Sequence, residues 1–340
     1  MSEQQAAAPF GPQRLMQIAW GFAPALIVGT AAETGVFNAL ADGSRSLDTL
    51  AATTGASRRG LRAILNALAG VQLVEKIAPD SYRLTPESAA FLVESSPAYI
   101  GDLFRHFSSQ LIPGWLRLTE SVRSGAPVTA VDDERTGAPF FAEFVESLYL
   151  VNRHAAAALA AHLGADRPGG LSVLDLAAGS GVWSLAFAQA SPQVLVTAVD
   201  WPMVLEVTRR VAARLGLADR YRMVAGDLLQ APFGEGHHVA TLGHILHSEG
   251  EARSRRLLNK TFDALAPGGT VAIAEFLVEP DRSGPPVALI FAVNMLVHTH
   301  EGDTYSCPEI AGWLEEAGFV NTRTLEIPGP SPLILADRPR

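Results

Sequence analysis

From Ser172 onward, short apolar runs alternate with longer segments whose apolar positions recur every third or fourth residue. The runs S-V-L-D-L, V-L-V-T-A-V, Y-R-M-V-A, a stretch ending near Leu242, and Val271 to Glu275 predict buried strands. The segments between them predict helices, one from Pro202 to Leu215 that stops at Gly216 and one from about Glu251 to Leu265. Ser306 with Glu309 forms a capping box ahead of I-A-G-W-L-E-E-A, which Gly318 closes. Strand and helix in alternation specify an α/β domain with a mainly parallel sheet, placed at residues 166–340.

Upstream the period changes. Residues 13–105 carry apolar helices, then S-L-D-T-L-A-A-T-T-G, S-R-R-G-L-R-A-I-L-N-A-L and the hairpin V-E-K-I-A-P-D-S-Y-R-L-T, the order of a winged helix-turn-helix. A disordered tail is expected over residues 1–12 and a helical connector over 106–165. In the connector Phe140, Phe141, Phe144, Leu148 and Val151 recur at helical spacing and are assigned to packing. R-P-G-G, from Arg167 to Gly170, reads as a hinge.

The stretch S-V-L-D-L-A-A-G-S-G-V-W places a buried strand directly before a glycine turn that opens a helix, the geometry of a nucleotide pocket. Gly179 and Gly181 permit the tight turn and a close approach to a ligand. A dinucleotide fingerprint needs a third glycine where Ser184 stands, and no Walker-type G-K-[ST] follows, so phosphate binding is disfavoured. Asp200 ends the next strand 19 residues beyond Gly181, where a carboxylate can accept both hydroxyls of a ribose. Asp175, Asp200 and Asp227 all fall at or near the carboxyl edge of successive strands, and without a basic residue among them they suit a cationic nucleoside.

Composition narrows the classes. The net charge of -9 opposes nucleic acid and anionic membrane, and 48% hydrophobic residues suffice for sizeable cores. From Glu3 to Arg105 nine acidic residues face eight basic ones, with only Arg58, Arg59 and Arg62 clustered, which favours subunit contact over DNA for the winged helix. Cys307 is the sole cysteine, so no intrachain disulfide forms. The N-terminus carries no signal-peptide pattern, and the apolar run near Phe22 is broken by Glu33, so the protein is expected in the cytoplasm.

The ordered set L-D-L-A-A-G-S-G, A-V-D-W-P, A-G-D-L, H-I-L-H, A-P-G-G-T-V-A-I-A-E and E-E-A-G-F resembles class I S-adenosylmethionine methyltransferases. More narrowly, it resembles the plant-type small-molecule O-methyltransferases and their bacterial natural-product relatives, over nearly the whole chain. The resemblance implies a Rossmann-like seven-stranded catalytic domain preceded by a mainly α winged-helix dimerisation domain, hence a homodimer. It implies S-adenosyl-L-methionine as cofactor, S-adenosyl-L-homocysteine as product, and methyl transfer to a hydroxyl of a small aromatic or polyketide-like acceptor. Gly179 and Gly181 would admit the cofactor's amino-acid end with Asp175 beside them, Asp200 would hold the ribose, and Asp227 with Leu228 would frame the adenine. His247 falls where these enzymes carry a general base, a task suited to imidazole at neutral pH, and Glu275 matches the glutamate that orients it. Phe291 and Met295 are candidates for contact with a flat acceptor or for core, and Trp183 either covers the cofactor or anchors its helix.

Two departures stand out. The family's D-W after the base is replaced by Ser248 and Glu249, and its second glutamate by Thr304. The histidine pairs His244/His247 and His298/His300 offer metal-ligand types, but no H-E-x-x-H or cysteine cluster accompanies them and the resembled family works without metal, so none is expected. His237 and His238 read as exposed turn residues. Alternatives are methylation of carbon, nitrogen or sulfur, a non-methylating reaction on the same fold, and, from another class, a ligand-sensing transcription factor.

Overall fold

A computed structural model describes residues 11–329 and 331–340, and backbone packing divides the chain into two compact units, Met1–Ser109 and Gln110–Arg340. The tail expected over residues 1–12 falls outside the described residues except for Gly11 and Pro12.

In the first unit, helices α1 (Gln13–Ala19), α2 (Ala23–Glu33), α3 (Val36–Ala39), α4 (Leu47–Thr54), α5 (Arg58–Gly70), α6 (Pro86–Phe91) and α7 (Gly101–His106) accompany a small sheet. Its strands β1 (Arg45–Ser46), β2 (Val74–Ala78) and β3 (Ser81–Leu84) pair antiparallel in the order β1-β3-β2. The Ser46 and Ser57 hydroxyls accept backbone N–H groups of Thr49 and Gly60, which fixes where α4 and α5 begin. Leu47, Leu50, Leu61, Leu65, Leu68, Val74 and Tyr82 then close one core from both helices and the hairpin. Two helices followed by an antiparallel hairpin thus stand where the sequence places them. Arg58 pairs with Asp48 and Asp80, and Arg62 with Asp80, so the unit's own acids offset that basic cluster. The stretch Gln13–Glu33 is long and apolar enough to cross a bilayer by length and composition. It folds as two helices, and α2 buries Val28, Ala31 and Ala32 in the unit's core.

The second unit opens with α8 (Ile112–Trp115), α9 (Leu118–Ser124) and α10 (Glu134–His162). Strands β4 (Ser172–Leu176), β5 (Leu195–Asp200), β6 (Tyr221–Ala225), β7 (His237–Gly243), β8 (Leu265–Ala274), β9 (Val320–Leu325) and β10 (Leu333–Asp337) form one sheet ordered β6-β5-β4-β7-β8-β10-β9. The first five in that order run parallel, and β10 is antiparallel to both of its neighbours. Helices α11 (Val182–Ala190), α12 (Pro202–Arg214), α13 (Leu246–Ala264), α14 (Pro286–His298) and α15 (Cys307–Glu316) complete the unit. Both faces of the sheet are covered, which explains why Val173, Leu174 and Leu176 of β4 are all buried instead of alternating with exposed positions. The capping box of Ser306 and Glu309 forms as expected. Gly250, at φ 71°, interrupts α13, so its regular part starts at Glu251.

Three features differ from expectation. The compact unit begins at Gln110, and α10 belongs to the α/β core: Ala138, Val145, Ala155, Ala156, Leu159 and Ala160 share one cluster with β4, α11 and α12. On α10, Phe141 and Leu148 pack against that cluster, whereas Val151 is 57% exposed because it falls on the outer face. His237 is no exposed turn residue. It opens β7 in a buried position, where Nε2 donates to the Phe233 carbonyl at 2.9 Å and Nδ1 accepts from Ser172 Oγ at 2.9 Å. His238 is exposed and accepts the Ser172 N–H through Nδ1 at 3.0 Å.

Phe187, fully buried on α11 between β4 and α10, is the test of this layering. Phe187→Ala should cost about 3–5 kcal/mol in a denaturant titration, and a loss below about 1 kcal/mol would contradict the packing.

Candidate active site

The glycine turn leaves β4 with Ala177, Gly179 and Gly181 at φ 53°, 56° and 76°. A Cβ on Gly181 would press to 3.0 Å from Thr208, so this position needs glycine for both space and conformation. The loop is tied from beside and beneath. Thr208 Oγ1 donates to the Gly179 carbonyl at 2.7 Å, and the Gly179 N–H donates to Asp200 Oδ2 at 2.9 Å. Asp200, ending β5, also accepts the Trp201 N–H at 2.7 Å. Burial pushes its carboxyl up to about 7 despite these two donors.

Asp175 does not present a carboxylate to the pocket. It lies buried within β4, where Oδ1 accepts from Thr241 Oγ1 at 2.7 Å and Oδ2 from Ser184 Oγ at 2.5 Å. Tyr221 extends this chain with its hydroxyl 3.0 Å from Ser184 Oγ. Burial raises the Asp175 carboxyl to about 6 against the hydroxyl donors. Asp175 therefore links β4, β7 and the first turn of α11, and it positions the loop from below.

Asp227 follows β6. Its Oδ1 caps the Leu229 N–H at 2.9 Å, and its Oδ2 meets Arg253 at 2.7 Å. Arg253 also pairs with Glu249 at 2.6 Å. This edge thus does contain a basic group, contrary to the sequence reading, but two carboxylates neutralise it. The chain signalled it only as a spacing: Glu249 and Arg253 stand four apart, with the break at Gly250 between them. Leu228 is buried, and Lys260 holds its carbonyl at 2.8 Å.

Across the sheet edge, His247 and Glu275 meet. His247 Nδ1 donates to Glu275 Oε2 at 2.8 Å, and the His247 backbone N–H lies 3.3 Å from Oε1. Both are buried. Burial alone would raise the Glu275 carboxyl, but the His247 and His244 imidazoles hold it below the usual carboxylate range. With Nδ1 engaged, Nε2 is the His247 atom left to exchange a proton with a ligand. Phe291 meets the His247 ring edge-on at 4.9 Å and stacks on Phe276 at 4.0 Å, so an aromatic wall stands beside this imidazole. Phe276 escaped the sequence reading, although it directly follows the strand-end glutamate. Met295 is buried on α14, one turn beyond Phe291.

The segment carrying Thr304 is held against His247 by the Asp303 N–H, which donates to the His247 carbonyl at 2.9 Å. Thr304 is itself buried. The two histidine pairs do not form one cluster. His244 and His247 come together with Glu275, whereas His300 pairs with Asp132 at 2.9 Å and His298 Nδ1 donates to the Asn294 carbonyl at 3.0 Å. Trp183 lies 6.4 Å from the His244 ring, and any Cβ on Gly243 would collide with its indole.

A parallel sheet with a glycine turn after its central strand and carboxylates at successive strand ends defines a nucleoside-binding α/β enzyme of the methyltransferase class. Comparison with known proteins agrees. Residues 130–320 match the O-methyltransferase domain and residues 16–94 the O-methyltransferase dimerisation domain. The chain is 33% identical to 3-hydroxy-5-methyl-1-naphthoate 3-O-methyltransferase of Streptomyces sahachiroi, covering 94% of this chain and 92% of that protein. It is 29% identical to the tetracenomycin polyketide synthesis 8-O-methyl transferase TcmO of Streptomyces glaucescens, over 97% and 98% of the two chains. Among crystal structures, one from Nostoc punctiforme titled as an O-methyltransferase superposes with a TM-score of 0.88 at 29% identity, covering 97% and 100%. PigF with S-adenosylhomocysteine superposes with a TM-score of 0.84 at 25% identity, covering 97% and 100%. The protein belongs to the S-adenosylmethionine-dependent O-methyltransferase family.

Thr241→Val, nearly isosteric, removes one donor from the buried Asp175 carboxylate. It should lower stability at neutral pH by about 1–3 kcal/mol, read as a shift in denaturation midpoint at constant slope. An unchanged midpoint would mean that Asp175 does not depend on this bond.

Proposed function

We propose that the protein transfers a methyl group from S-adenosylmethionine to a hydroxyl of a small aromatic, polyketide-like compound, with His247 as general base. The observation that carries this reading is the buried His247–Glu275 pair set against the Phe276–Phe291 stack at the ligand edge of the sheet. The acceptor class is supported by the aromatic wall and by the names of the naphthoate and tetracenomycin relatives.

The residues present fit the cofactor. The loop lacks the third glycine and the free cation that a pyrophosphate needs, and its carboxylates suit ribose hydroxyls and a positively charged nucleoside. Gly179 and Gly181 line the amino-acid end, Asp200 accepts the ribose hydroxyls, and Asp227 with Leu228 frames the adenine. When bound, S-adenosylmethionine supplies an electrophilic methyl group. His247 Nε2 removes the acceptor's hydroxyl proton, and Glu275 stabilises the imidazolium through Nδ1. Glu275 acts through His247 and is a positioning residue. The aromatic wall, with Met295 on the same helix as Phe291, orients a planar acceptor and excludes water. Thr304, in place of a second carboxylate, leaves Glu275 as the imidazole's acidic partner.

The first unit is the contact between two copies of the chain. Supporting this are the match to a dimerisation domain and the exposed apolar side chains Leu15, Met16, Ile18, Trp20 and Phe22 on α1 and the turn after it. The pairing of Arg58 and Arg62 with acids of the same unit fits subunit contact better than DNA binding. We place the enzyme in the cytoplasm, with no nucleic-acid or membrane partner.

His247→Ala should lower kcat by about tenfold or more while the Kd for S-adenosylmethionine, from calorimetry, stays within about threefold. Unchanged turnover would remove His247 from the base role. The raised Asp200 carboxyl generates a second prediction. Below pH 7 the free protein holds Asp200 protonated, and a protonated carboxyl is a poor acceptor for two hydroxyls, so cofactor affinity should fall towards tenfold per pH unit as pH drops. Asp200→Asn should bind weakly with no such slope, whereas an equal slope in this variant would contradict the assignment.

A further inference from the structure

His244 has features that the transfer chemistry leaves unused. It follows β7 at φ 60°, a left-handed conformation uncommon for a residue with a Cβ and concentrated at functional sites. Its backbone is fixed there by an N–H that donates to the Ala274 carbonyl at 2.8 Å, from the strand that ends beside Glu275. Its ring is packed by Phe276 at 5.1 Å and Trp183 at 6.4 Å. Its Nδ1 is buried without a hydrogen-bond partner, which is costly for a polar atom unless something meets it. One donor atom from each of His244, His247 and Glu275 lies within 4.8 Å of the others.

Two imidazoles and a carboxylate facing a common point are the ligand set of zinc-type divalent cations. Donors around tetrahedral Zn²⁺ stand roughly 3.3 Å apart, since each bond is about 2.0 Å. Small side-chain rotations would close the cluster to that spacing. The remaining coordination position would open towards the aromatic wall.

We propose that His244, His247 and Glu275 form a binding site for a zinc-type divalent cation, and that filling it blocks methyl transfer. In the metal-free enzyme His247 and Glu275 share the Nδ1 proton. The cation takes that place, the proton moves from Nδ1 to Nε2, the imidazole and carboxylate become ligands, and Nε2 then has no lone pair with which to take the acceptor's proton. The metal is thus an inhibitor and no part of the catalytic cycle. Binding stands on this geometry alone, whereas the inhibition rests on His247 acting as base.

The test uses the full-length protein, freed of any polyhistidine tag and stripped with a chelator, and titrates Zn²⁺ alone by calorimetry in two buffers of different ionisation enthalpy. Mg²⁺, which prefers oxygen ligands, is the control. Zn²⁺ should bind with the same enthalpy in both buffers, since the displaced proton stays on His247, and Mg²⁺ should not bind. His244→Asn preserves a residue type that tolerates the left-handed conformation, and it should weaken Zn²⁺ binding about tenfold or more. Glu275→Gln, isosteric, provides a second variant with the same expectation. In turnover assays, Zn²⁺ should inhibit the wild type reversibly, with EDTA restoring the rate, and the inhibition curve of His244→Asn, relative to its own metal-free rate, should move to higher Zn²⁺ in parallel with its binding. No Zn²⁺ binding, or binding equal in both variants and the wild type, would overturn the site. Binding that the variants weaken but that leaves wild-type turnover untouched would uphold the metal site, overturn the inhibition, and count against His247 as base.

Discussion

A carboxylate drawn away from water must be met by donors or by positive charge, and the ligand edge of this sheet carries four carboxylates, Asp175 and Glu275 buried and Asp200 and Asp227 partly so, each met differently. Asp175 is met by the hydroxyls of Thr241 and Ser184, and Asp200 by the backbone N–H groups of Gly179 and Trp201. Asp227 is met by the Arg253 guanidinium and Glu275 by the His247 imidazole. These pairings decide function. Fully internal hydroxyl partners make Asp175 structural. Backbone partners leave Asp200 poised near neutrality and able to accept other donors. An imidazole partner suits Glu275 to the positioning role proposed for it beside His247.

The same constraint shapes the chain around the site. The glycine turn brings the Gly179 N–H onto Asp200 with left-handed residues at alternate positions, Ala177, Gly179 and Gly181. The long helix α10 packs Val145 beside Gly179 and thereby belongs to the catalytic unit. On the opposite side, Gly302 is forced close to the His247 carbonyl by the tie from Asp303, so the segment carrying Thr304 backs the base even without a second carboxylate.

What could be read from the sequence was what is local. Strand and helix periods, the Ser306–Glu309 box, the glycine turn and the strand-end acids are all set by neighbours a few residues apart, and the structure has each of them. The His247–Glu275 meeting was reachable because both follow strands that lie side by side, β7 and β8. Long-range partners were not legible. Nothing near Asp175 announces Thr241, and His237 looks like a turn residue until Ser172 and Phe233 enclose it. Val151 obeys the helical period of its neighbours yet faces outward, because periodicity ranks faces without saying where a long helix leaves the core. The histidine pairs separated because His298 turns back onto the Asn294 carbonyl of its own helix, whereas His300, beyond the helix end, meets the distant Asp132.

The central claim is proton removal by His247 from a hydroxyl, followed by methylation of that oxygen. Product analysis after incubation with S-adenosylmethionine and a panel of hydroxylated aromatic polyketides tests it most directly. The mechanism predicts S-adenosylhomocysteine in equal amount to an acceptor that carries one new methyl group on oxygen, and no reaction with the same acceptor once its hydroxyl is blocked. Methylation of carbon or nitrogen, or turnover that persists with the hydroxyl blocked, would contradict it.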